Sequence, residues 1–174
     1  MKKTSGPLYA MTCYWLVDFH DKSTWHRVTK VDPKITSIEV NGDRLLLPTG
    51  FMKAVRLEGS GLYMGVVLNF TGKKWVFQNP NKYPFGRTAS GRAVVPWYTI
   101  AVDRKALKFR AWYRIPELEG FKLPGGEVHN GIVRALDTGG AIRGRHIDLH
   151  VGFKRSWVET RKRLPRRVRL IEQT

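Results

Sequence analysis

Asp137 and Asp148 stand eleven positions apart, each directly after an aliphatic residue, Leu136 and Ile147. The span between them holds Gly139, Gly140 and Gly144 and no bulky aromatic. A third acid, Asp103, follows the apolar run Thr99-Ile100-Ala101-Val102 in the same way. Carboxylates held within ~4–6 Å of one another cannot all ionise, so one of them keeps its proton near neutral pH. A carboxyl protonated at that pH is what a general acid needs to cleave a bond to a poor leaving group.

The segments that must position these acids read as strands. Residues 131–136 and 146–151 alternate apolar with polar or small side chains, the period of a half-buried strand. Asp137 would then end one strand and Asp148 would lie inside the next. An aspartate within a strand is disfavoured by propensity and costly when buried without partners, which marks Asp148 as a functional candidate. Gly139 and Gly140 would let another backbone or a sugar ring approach closely. Two other readings of Asp137 stay open at this level. It suits a turn former whose carboxylate accepts backbone N–H groups. Asp137-Thr138-Gly139 is also the aspartic-protease tripeptide, but it occurs once and would need a dimer.

The rest of the chain supplies further short strands. Residues 8–19 are strand-like and aromatic, and 35–40 joins 44–47 through the hairpin signal Asn41-Gly42. Residues 52–57, 62–70, 74–77, 99–102 and 107–115 read likewise, the last stopped by Pro116. With Gly-rich turns and hardly any helical period, the pattern predicts an all-β barrel or sandwich. The basic segment after Arg161 alternates around Leu164, Val168 and Leu170 and reads as a final strand with a charged outer face.

The 174 residues, 42% hydrophobic, suffice for one domain with a core, and no apolar run approaches the ~18 residues of a membrane helix. A formal net charge of +17 favours a polyanionic partner: nucleic acid, acidic headgroups or bacterial wall. Cys13 is the only cysteine, so internal disulfides and cysteine zinc clusters are excluded, and its apolar neighbours suit a small core residue. Lys2-Lys3 begins like a signal peptide with no apolar stretch behind it. The expectation is a protein made in the cytoplasm and released, in the manner of a phage-type lysin, or a mature form, acting in the cell wall or periplasm.

Asp137-Thr138-Gly139-Gly140-Ala141-Ile142-Arg143-Gly144 followed by His146-Ile147-Asp148 resembles the signature of the 3D, or three-aspartate, domain family, shared with membrane-bound lytic murein transglycosylase A. Tyr83-Pro84-Phe85-Gly86-Arg87-Thr88-Ala89-Ser90-Gly91 and Pro96-Trp97-Tyr98-Thr99-Ile100-Ala101-Val102-Asp103 resemble the segment carrying that family's first aspartate. Three spaced motifs in order are a specific signal, strongest over residues 83–153.

The resemblance implies a single six-stranded double-psi β-barrel over residues 1–174, with a groove-covering insertion at about 20–47 and a basic C-terminal segment at 154–174. It implies a lytic transglycosylase cleaving peptidoglycan glycan strands, in which Asp148 is acid and base while Asp137 and Asp103 raise its pKa. Thr88, Ser90, Gly139, Gly140 and Arg143 would contact substrate, Arg143 standing where the family commonly has Lys. No metal, cofactor or obligatory nucleic acid is implied; the expected partners are glycan strands and an anionic wall or outer-membrane surface, with the protein a monomer. His146 and His150 are assigned to the strand face opposite Asp148, as surface or wall residues. The competing class is a non-catalytic basic module that binds wall polymer or nucleic acid, with Trp97, Trp112 and Trp157 stacking on sugars or bases.

Overall fold

In a computed structural model, residues 6–25 and 34–173 are described. In chain order they form β1 (Leu8–Asp18), a 3-10 turn (Lys22–Thr24), β2 (Ile35–Val40), β3 (Asp43–Pro48), α1 (Thr49–Glu58), β4 (Ser60–Tyr63), β5 (Val66–Phe70) and β6 (Trp75–Gln78). Then follow β7 (Thr99–Val102), β8 (Trp112–Lys122), β9 (Val128–Asp137), β10 (His146–Phe153), α2 (Lys154–Thr160), β11 (Arg167–Arg169) and β12 (Ile171–Gln173). The chain is thus mostly β, as expected, with a mixed sheet and two short helices.

Two compact units divide these elements. The first takes the residues up to Tyr14, Thr88–Ser90 and those from Val95 onward. Its strands run in the order β12-β8-β9-β7-β10-β1, with β11 added antiparallel on β1. β7 is parallel to β9 and antiparallel to β10. Its core includes Ile100, Ile115, Leu118, Val133, Ile147, Leu149 and Val168, all with no solvent exposure. The alternation read at 131–136 and 146–151 holds in burial from Gly131 to Ala135 and from His146 to Leu149, after which β10 stays buried through Gly152.

The second unit takes Trp15–Arg87 and Gly91–Val94. Its strand order is β4-β5-β6-β2-β3, with the last residues of β1 parallel to β4. The Asn41-Gly42 hairpin forms as predicted, both residues at positive φ, 53° and 93°, as a type I′ turn requires. A core of Val17, Leu47, Phe51, Val55 and Leu68 closes the unit.

Three expectations fail for physical reasons. Residues 52–57 form a helix, not a strand: Phe51, Met52 and Val55 bury one helical face, and Gly59 at φ 87° caps the end in the left-handed conformation. Residues 107–111 are not strand: the Asp103 carbonyl accepts hydrogen bonds from the Ala106 and Leu107 amides, and a turn follows at Phe109–Arg110. The strand β8 starts later and runs through Pro116, where its register to β9 shifts between Arg114 and Glu119, an irregularity that tolerates a residue without an amide proton. The segment after Arg161 runs through turns first, and strand returns in β11, where Arg167 and Arg169 flank buried Val168, and in β12.

Candidate active site

The first unit brings two of the three acids onto one row. Asp148 on β10 pairs with Ala101 on β7, and Ala101 pairs on its other side with Asp137 on β9. The second pairing needs a bulge. Thr99 faces Arg134 and Ile100 faces Ala135, but Ala101 faces Asp137, so Leu136 is the extra residue. Without it Leu136 would stand opposite Ala101, since slipping a strand by one residue swaps its faces. Residues paired across strands share a face, so both carboxylates rise on either side of a methyl group.

Asp148 is held from β1. The Thr12 hydroxyl donates to Asp148 Oδ1 at 2.8 Å and lies 2.8 Å from His146 Nε2. Burial is the chief cause that lifts the Asp148 pKa to about 6, and the Asp137 charge adds to it. The Thr12 hydrogen bond and the His146 charge pull the other way. The assignment of His146 and His150 to the opposite strand face is therefore corrected: residues two apart on a strand share a face. His146 joins Asp148 through Thr12. His150 is fully buried, packs edge-on against Tyr14 at 4.7 Å, and is pushed down to about 3 by burial, so it is a neutral wall residue.

Asp137 is more fully engaged. Its Oδ1 accepts the amides of Ala89 and Thr138 at 2.9 Å, and its Oδ2 accepts the Tyr14 hydroxyl at 3.0 Å. Burial nevertheless pushes its pKa up, against these three bonds. Tyr14, Ala101 and Ile142 pack together beside it.

Asp103 behaves differently. Its Oδ2 accepts the Gly144 amide at 2.8 Å and its Oδ1 the Lys105 amide at 2.9 Å, which ties the end of β7 to the loop entering β10. Those bonds, with Arg143 and Lys105 nearby, hold its pKa below the ordinary value. Of the two acids expected to raise Asp148, Asp137 does so and Asp103 is not among the causes.

The remaining predicted contacts fall around this row. Thr88 is buried and shares a hydrogen bond with Ser90 at 2.8 Å, while the Ser90 amide donates to Leu136. Their loop thus delivers the Ala89 amide to Asp137. Arg143 folds back, its Nη1 donating to the Gly139 and Ile142 carbonyls, and braces the glycine turn. Gly140 is exposed on that turn. Trp97 is buried, Trp112 is 46% exposed beneath the Arg134 guanidinium, and Trp157 lies against Arg161. Among the described residues no His, Cys, Asp and Glu cluster could hold a metal ion.

Sequence reasoning missed Thr12 and Tyr14. They lie 136 and 123 residues from the acids they touch, so only the alternation of β1 hinted that they share a face.

A mostly β unit that shelters a carboxyl of pKa about 6 beside a second, buried carboxyl defines a class, a site equipped for carboxyl acid–base chemistry. Residues 98–161 match the family model of the 3D domain, so the resemblance carried by the aspartate motifs holds over that stretch. No curated protein matches the chain. Among solved structures the chain is similar to Escherichia coli MltA with bound chitohexaose, at 14% identity and a TM-score of 0.54, over 85% of this chain and 66% of that one. It is also similar to a membrane-bound lytic murein transglycosylase from Agrobacterium tumefaciens, at 13% identity and a TM-score of 0.50, over 97% of this chain and 73% of that one. The fold is therefore MltA-like, and the chain spans about two thirds of the MltA chain.

Proposed function

We propose that this protein is a peptidoglycan-degrading lytic transglycosylase that cleaves the MurNAc-GlcNAc β-1,4 bond and leaves a 1,6-anhydro-MurNAc end. The observation that carries the reading is that Asp148 and Asp137 flank Ala101 on one row within the 3D-domain match, where burial raises the Asp148 pKa. Protonated Asp148 donates to the glycosidic oxygen as the bond to C1 breaks. The resulting carboxylate takes the proton of the muramic acid 6-hydroxyl while that oxygen bonds to C1. No water is consumed, and Asp148 ends as it began. Asp137, fixed by three donors, stabilises positive charge developing at C1. Asp103 sets the loop that carries Gly144 toward β10.

The chitohexaose held by the E. coli relative supports glycan strands as the ligand class here. The net charge of +17 suits an anionic wall surface, so the proposed place of action is the cell wall or periplasm, as for a lysin. The proposed core is the six-stranded double-psi barrel that the family resemblance implies. Mass spectrometry of digested peptidoglycan tests the chemistry: fragments lighter by one water than hydrolysed ones are expected. Hydrolysed ends would make the enzyme a glycosidase, and wall pelleting with no released fragments would make it a binding module.

A further inference from the structure

Beyond the acids, two arginines, Arg145 and Arg167, border the strand β1 that supplies Thr12 to Asp148. Residues Leu8, Ala10 and Thr12 alternate along β1 with exposed side chains, and Thr12 is the one that holds Asp148. Ala10 pairs with Arg167 on β11, and its amide donates to the Arg145 carbonyl on the other side. Arg145 and Arg167 therefore flank one small residue, and both line a cleft of about 570 Å³ with Gly6, Leu8, Tyr9 and Ala10. That volume exceeds what a simple ion fills and falls within the ~300–1,000 Å³ of small-molecule sites. Arg169, two residues on, is neutralised by Glu117 through its amide and its Nη1. No carboxylate pairs with Arg145 or Arg167 among the described residues.

From this we propose that the Arg145–Arg167 cleft is a subsite for the carboxylates of a peptide stem on the glycan strand that Asp148 cleaves. The inference rests on the proposed cleavage reading and extends it to the substrate's anionic branches. Two guanidiniums give forked, charge-assisted donors to a carboxylate. Ala10 is two residues from Thr12, about 7 Å along the strand, so one ligand spans cleft and acid. That continuity favours a stem on the substrate itself over a separate wall-polymer phosphate.

The test compares stem-bearing glycan oligomers whose carboxylates are free with the same oligomers amidated. Wild type should turn over the free form about tenfold faster in kcat/KM, a preference that falls with salt. The variant Arg145→Gln with Arg167→Gln should lose that preference while cleaving the amidated oligomer as wild type does, which also shows that it is folded. A preference that survives the double substitution, or is missing from wild type, overturns the subsite. Poly(glycerol phosphate) that binds wild type more tightly than the free-stem oligomer, and loses that advantage in the double variant, overturns it in favour of wall-polymer phosphate. Should wild type cleave neither oligomer, the cleavage reading fails on its own. Calorimetric binding of the two oligomers to wild type and variant then still decides the subsite.

Discussion

Asp137 and Asp148 share one register partner, Ala101, and so reach the same face of the sheet from opposite sides of β7. Neither acid is close to the other in the way a turn would make them close. A single bulge after Ala135 turns the first toward the second, and β1 supplies a hydroxyl to each, Thr12 to Asp148 and Tyr14 to Asp137.

Removing the Asp148 charge should abolish activity and stabilise the fold. With its pKa raised to about 6 from 3.8, the carboxyl contributes stability in full below about pH 4. That contribution is lost as pH rises to about 6, because the unfolded chain gives up the proton first. Asp148→Asn escapes this loss and keeps an acceptor for Thr12. Its expected effect at pH 7 is no release of soluble peptidoglycan fragments and a gain on the order of 1–3 kcal/mol. Fragment release and thermal unfolding at pH 4 and pH 7 check both halves; persistent release removes Asp148 as the acid.

The pH dependence of cleavage should report the same group. A general acid of pKa about 6 gives kcat/KM that declines above about pH 6. The His146 charge lowers that pKa, so His146→Gln should move the alkaline limb to higher pH. Thr12→Val should move it the same way, since the hydroxyl favours the charged carboxylate. Rate profiles from pH 4 to pH 8 decide this, and a limb that ignores both changes separates it from Asp148.

The two adjacent glycines of the turn should respond oppositely. A Cβ on Gly139 would sit 2.8 Å from Cγ1 of Ile142, which is only 4% exposed and has little room to yield. Gly139→Ala should cost about 1–3 kcal/mol of stability. At Gly140 a Cβ meets nothing within 4 Å, so the fold does not explain the glycine. Gly140→Ala should change stability by under ~0.5 kcal/mol yet raise KM for glycan strands, as expected where a sugar approaches the backbone. An unchanged KM would place the sugar elsewhere.

Much of this is legible in the sequence, and the limits have physical causes. β9 and the start of β10 alternate with period two and β7 is a short, fully buried apolar run, so all three could be read locally. Helix α1 could not, because its buried residues cluster in Phe51-Met52 and Ala54-Val55 and mimic a short apolar strand. Pro116 reads as a stop in sequence, yet the register shift beside it absorbs its missing donor. Pairwise register, which decides that Ala101 rather than Leu136 defines the row, depends on strands 36 and 47 positions apart from Ala101, and no local pattern encodes it. Nor does any local signal show that Asp103, besides its turn bond to Lys105, takes the Gly144 amide 41 residues on.

Tyr14→Phe offers the sharpest check on coupling between the two buried acids. It removes a hydrogen bond that favours ionised Asp137, so burial then lifts the Asp137 pKa further. Sign matters here: a raised folded pKa lowers stability at neutral pH, by about 1 kcal/mol for one lost bond. A more protonated Asp137 carries less negative charge, and that charge is one of the causes that raise Asp148. The Asp148 pKa should then fall, so the alkaline limb of kcat/KM should move to lower pH, opposite to the shift from His146→Gln. If the phenylalanine variant shifts the limb upward, or leaves it in place while losing stability, the two carboxyls do not act as one electrostatic unit.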